Sequence, residues 1–193
     1  MTDETAPVDP AYEYKPSLMS GPWQFWLRPD ALEWRAGRHQ GRVPYGRIAR
    51  VRLSYRPSTM QTRRFLTEVW QPGGPKLSIA SASWRSMVEQ ESLEAGYGAF
   101  VRELHRRIAA AGANATFTTG SPALLYWPGL AIVAGATLAI AVLAVRALLN
   151  GDWVAGALVA GFFALFGWQG ATFFHRNQPG HYRPEAVPPK LVP

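Results

Sequence analysis

Cysteine is absent from all 193 residues. Disulfides, thiolate metal sites and cysteine nucleophiles are therefore excluded. An apolar signal peptide is missing too. Residues 1–20 carry Asp3, Glu4, Asp9 and Glu13 among Pro7, Pro10 and Pro16, with neither a basic n-region nor an apolar h-region. This stretch reads as a disordered leader. Charge is what two later stretches lack: Ala123–Val145 and Trp153–Phe174 contain no Asp, Glu, Lys or Arg.

Catalytic patterns are also lacking. His39, His105, His175 and His181 show no paired metal-ligand spacing. There is no glycine-rich phosphate loop ending in Lys-Ser/Thr and no Gly-x-Ser-x-Gly elbow. Gly96-Tyr97-Gly98 falls inside a helical pattern, where glycines either weaken the helix or allow close packing. Asn114-Ala115-Thr116 matches a glycosylation sequon, which a cytoplasmic site never presents to that machinery. The expectation is a protein with no catalytic, cofactor-binding or metal-binding residue, and no enzyme.

What is present begins with those two uncharged runs. Each reaches the roughly 20 residues needed to cross a hydrocarbon core about 30 Å thick. The link Arg146–Asp152 holds the turn signal Asn150-Gly151-Asp152. Residues 123–176 thus read as a transmembrane helical hairpin with spans at about 123–145 and 153–174. Arg102, Arg106 and Arg107 precede it and Arg176, Arg183 and Lys190 follow it, while the link offers only Arg146. By the positive-inside bias both termini are cytoplasmic. Tyr126, Trp127, Trp153, Trp168, Phe173 and Phe174 mark the interfaces. His175, next to Arg176, reads as an interfacial histidine, and no acidic residue in either span supplies an ion relay. Gly135 and Ala139 in the first span, and Gly156, Ala160, Ala164, Gly167 and Ala171 in the second, form small-residue stripes. These pack the hairpin on itself or mediate oligomerisation or docking on a larger membrane complex.

Residues 21–90 alternate apolar and polar with period two: Trp23-Phe25-Leu27, Leu32-Trp34, Val51-Leu53-Tyr55, Leu77-Ile79. Turn signals separate them at Arg28-Pro29-Asp30, Ala36-Gly37, Arg56-Pro57-Ser58 and Gln71–Pro75. The period then changes. Leu93, Tyr97, Phe100, Val101, Leu104 and Ile108 share one helical face. Residues 21–112 are therefore a small antiparallel β-barrel or sandwich closed by an amphipathic helix at Glu91–Ala111. Residues 113–122 form a linker, and 177–193 a proline-rich cytoplasmic tail, either disordered or docked as an extended segment.

The Leu32-Glu33-Trp34-Arg35 strand, the Val43-Pro44-Tyr45-Gly46-Arg47-Ile48 step and the closing helix resemble the pleckstrin-homology-like domains of small bacterial membrane proteins. The resemblance covers residues 21–112. It implies an inner-membrane protein working through oligomerisation or protein contact. Inositol-lipid binding does not carry over, because the first loop, Arg28-Pro29-Asp30, is too short for that pocket.

The net charge is +7. Of this, residues 1–121 hold 16 Lys/Arg against 11 Asp/Glu. Beside a membrane the acidic neighbour is the lipid surface rather than nucleic acid. Candidate lipid or partner contacts are Arg50, Arg52 and Arg56 on one strand, Arg63 and Arg64 after the next loop, and Trp84 with Met87. Each has a plainer reading, as a solvated strand face or as cover for the core.

The function expected is an α+β membrane protein presenting an interaction module, an accessory or assembly subunit with a protein partner or a second copy. The alternative is a regulator sensing anionic lipid.

Overall fold

A computed structural model of the chain describes residues 9–56, 63–86 and 89–193. The architecture is α+β, in two units: residues up to 119 together with 180–193, and residues 120–179. In the first unit, β1 (Ala11–Tyr14), β2 (Trp23–Leu27), β3 (Ala31–Ala36) and β4 (His39–Pro44) form an antiparallel sheet in that order. A second sheet has the order β11-β10-β5-β6-β7. Its strands are β5 (Arg50–Tyr55), β6 (Phe65–Trp70), β7 (Leu77–Ala80), β10 (Thr116–Thr119) and β11 (Gly180–His181). β8 (Ala82–Trp84) and β9 (Gln90–Ser92) pair as a short hairpin.

Alternation places the core. Register pairs Phe25 with Trp34 and Leu27 with Leu32 in the first sheet. It sets Val51 opposite Val69 and Phe117 in the second. Helix α1 (Glu94–Ala110) lays Tyr97, Phe100, Val101, Leu104 and Ile108 into the layer between, all buried. Tyr97 Oη lies 2.7 Å from the hydroxyl of Thr67, so each of these buried oxygens has a partner. The helix starts at Glu94 rather than Glu91, because Gln90–Ser92 is drawn into the ladder with β8.

No barrel closes among the described residues. At one corner the sheets meet through side chains. Tyr12 and Tyr14 of β1 donate their hydroxyls to the carbonyls of Ala80 and Ser78, each at 2.6 Å, along the edge of β7. Burial raises the pKa of both tyrosines, so they remain donors.

Two segments depart from the sequence reading, and a third takes one of its two alternatives. Ala11–Tyr14, inside the expected leader, is an edge strand with Tyr12 and Tyr14 buried. Thr116–Thr119, inside the expected linker, is a strand parallel to β5. The proline-rich tail belongs to the first unit, with Leu191 and Val192 buried. In each case a pairing between residues far apart in sequence overrode weak local propensity.

The second unit holds α2 (Ala123–Leu149) and α3 (Trp153–Arg176), joined by a turn at Asn150–Gly151. Gly151 has φ +82°, a conformation that costs glycine least. The Asp152 side chain accepts a hydrogen bond from the Ala155 amide at 3.4 Å and so caps α3. Both helices are long and apolar enough to cross a membrane. Their large apolar side chains, Leu138, Leu143, Leu158, Phe162 and Phe166 among them, are exposed.

Candidate interaction surfaces

The outer face of β5–β7 gathers cations around one indole. The charged groups of Arg50, Arg52 and Lys76 lie 5.8, 5.0 and 6.0 Å from the Trp70 ring. Glu68, 1 % exposed, accepts from Arg52 at 2.6 and 2.8 Å and from Lys76 at 2.8 Å. Burial raises the Glu68 carboxyl, but these hydrogen bonds outweigh it and hold its pKa below the ordinary value. Arg52 is thereby tied within the fold. Arg50 is exposed and stacked.

Arg56, Arg63 and Arg64 sit at the other end of β5 and β6. Arg56 is exposed, and its amide donates to the Arg64 carbonyl at 2.8 Å. Arg63 approaches Glu94 at 3.8 Å. Arg64 keeps a buried Nε without a hydrogen-bond partner. The five arginines singled out in the sequence therefore make two groups at opposite strand ends, not one patch. Trp84 is half-buried in the β8–β9 hairpin, where its amide donates to the Lys15 carbonyl at 3.1 Å. Met87 lies outside the described residues.

A surface that sequence reasoning missed runs along α1. Gly98, Arg102, His105 and Ala109 recur at helical spacing on the face that receives the tail. Tyr182 donates to His105 Nε2 at 2.7 Å, and its amide bonds the Phe117 carbonyl at 3.2 Å. His105 Nδ1 lies 2.7 Å from the Val101 carbonyl. A carbonyl only accepts, so Nδ1 carries the proton and Nε2 is the acceptor. Burial lowers the His105 pKa to about 4, partly offset by the Val101 bond. Further along, Arg102 donates to the Pro193 oxygen at 2.9 Å. Gly98 lies so close to that oxygen that a Cβ there would collide with it. The signals in the sequence were Gly98 and the tail's Tyr182, Leu191 and Val192, apolar residues in a segment otherwise polar and proline-rich.

A groove of about 720 Å³ is lined by Asp9, Asp30, Tyr45, Arg106 and Arg107 with small apolar residues. Its charges are all internally paired: Asp9 with Arg28, Asp30 with Arg42, and both arginines with Glu103. Those arginines pull the Glu103 carboxyl down to about 2. Among the described residues no group of His, Asp or Glu could hold a metal ion.

In the helical hairpin the contact runs through Gly129 against Phe174, Val133 against Gly170 and Leu148 against Gly156. Tyr126 donates to the Phe174 carbonyl at 3.2 Å. Of the small residues named from the sequence, Gly156 lies in this seam. Gly167 is half-buried with open space above it, and Gly135, Ala139, Ala160, Ala164 and Ala171 are exposed. Four residues turn a helix by about 400°, so a strict four-residue stripe drifts about 40° per step. Ala160 and Ala164 thus swing off the line that Gly156 occupies.

The chain matches no protein-family model, no curated protein and no solved structure. The class rests on architecture: an α+β unit of two sheets and one packed helix, with a pair of long apolar helices.

Proposed function

We propose that this chain is a non-enzymatic protein of the bacterial inner membrane. A cytoplasmic pleckstrin-homology-like module is held by a two-span hairpin, with both termini cytoplasmic. It acts as an accessory or assembly subunit through protein–protein contacts. The observation that carries this reading is the exposure of large side chains along α2 and α3, for example Leu138 at 67 % and Leu158 at 61 %. Water would make so long an apolar surface costly, and lipid removes that cost. The Lys/Arg bias around the spans supports the orientation. So does β11 pairing with β10, since both segments then occupy one compartment. An antiparallel sheet and a mixed, mainly antiparallel one, packed with α1, support the module's kinship.

The exposed flank Ala160, Ala164 and Ala171 of α3 suits close approach by another helix, from a second copy or a partner subunit. Ala164→Leu should reduce cross-linked oligomer or partner recovery in mild detergent without releasing the protein from membranes. An unaltered yield would count against this surface. The second reading, response to anionic lipid, is favoured by the lack of an acidic partner for Arg56 and Arg64 among the described residues.

A further inference from the structure

At one end of the five-stranded sheet Arg52 and Lys76 are paired with Glu68, and Arg50 is stacked on Trp70 with no acidic partner among the described residues. β10 runs parallel to β5, with Thr119 beside Leu53, and β11 begins at Gly180 opposite Thr119. The chain therefore leaves for α2 and returns from α3 at one end of the ladder. That is the end where β5 runs out into Arg56 and where Arg63–Arg64 lead into β6. Only residues 120–122 separate β10 from α2, and only 177–179 separate α3 from β11. Three residues of extended chain reach at most about 10 Å. Charges within about 8 Å of an anionic leaflet feel it at physiological salt.

Among the described residues the guanidiniums at that end have no close carboxylate partner. Arg56 is exposed and has no acidic partner among the described residues. Arg64 has none either, and its Nε is unsatisfied. Arg63 reaches Glu94 only at 3.8 Å. On the neighbouring hairpin Arg85 is neutralised by Glu91 at 2.9 Å. Beyond the start of β5, Arg52 is engaged by Glu68. A guanidinium with no carboxylate partner presents a planar fork that suits a phosphate.

We propose that Arg56 and Arg64 hold the phosphate groups of anionic lipids in the leaflet that α2 and α3 enter, and that Arg50 and Arg52 do not. This rests on the membrane reading above. The lipid then contacts the sheet end where the helical hairpin is rooted, not the first loop and not the β5 strand face.

The test uses the full chain in nanodiscs, of neutral phosphatidylcholine or with one-third phosphatidylglycerol. Hydrogen exchange across residues 53–66 is the readout. Exchange should be slower in the anionic discs, by about five-fold for each engaged arginine. Roughly 0.5 M salt should abolish the difference. Arg56→Glu should remove about half of it in free-energy terms, and Arg56→Glu with Arg64→Glu all of it. Arg56 is exposed, so the single variant stays informative should the double one fold poorly. Arg47→Glu, an exposed arginine before the opposite end of β5, should leave it intact. Equal exchange in the two lipid compositions would overturn the proposal, as would an equal loss with Arg47→Glu. Inorganic phosphate reproducing the protection in neutral discs would overturn the lipid assignment. A chain that stays outside the discs defeats the membrane reading itself, a different failure.

Discussion

At the scale of single residues, His105 decides most. Its ring is fully buried and bonded at both nitrogens, so folding holds it neutral. Its pKa falls from an ordinary value near 6.5 to about 4. Between these limits the unfolded chain binds a proton that the folded chain refuses. Stability therefore declines as pH falls from about 6.5 towards 4, by roughly 3 kcal/mol in total. His105→Asn removes that titration. Thermal unfolding of the detergent-solubilised chain at about pH 7 and pH 5 should show a smaller pH effect in the variant. Identical pH effects would remove the assignment. This role was not legible from local pattern, because the partner Tyr182 lies 77 residues away. The arginines were visible as charges. That Arg52 is tied to Glu68, and Arg56 to no acid among the described residues, was not, since pairing depends on strand register.

Among the elements, long periodic ones were legible and short ones were not. The helical face of α1 and the alternation in β2, β5 and β7 follow from local pattern, because burial of one face imposes the period. β1 and β10 have four residues each and gain their stability from partners remote in sequence. The tail is the clearest case: five prolines argue for extended chain, and only tertiary contact decides whether it docks. Its seat on α1 depends on a bare backbone at Gly98. Gly98→Val should push the end of the tail off the helix while α1 itself persists. Limited trypsin digestion would then cut after Lys190 several-fold faster, since cleavage follows local opening. Unchanged cleavage kinetics would mean that the close approach to Pro193 holds nothing in place.

For the whole molecule, the apolar hairpin sets the behaviour. Mean hydropathy is near zero, yet the average hides a polar unit and an apolar one. Residues 123–176 announced themselves because length and composition alone define such helices. Which faces meet was less legible, because seven nominated small residues supplied one seam contact. The chain should stay in the membrane pellet through an alkaline carbonate wash. Tags at both ends should be shielded in sealed right-side-out spheroplasts and become accessible together on lysis. Recovery in the soluble fraction, or tags on opposite faces, would sink the membrane assignment.

The β10–β11 pair has a consequence for biogenesis. Because the strand that follows α3 must lie beside the one that precedes α2, the head cannot be finished until translation has passed both helices. Until then His105 lacks its Tyr182 partner and Leu191 is not yet buried. If the two helices span a membrane as proposed, only a hairpin that returns to its starting compartment delivers the closing segment. On that proposed topology, a chain whose second helix fails to return leaves the tail-binding face of α1 open to proteases, so insertion and completion of the fold become one event.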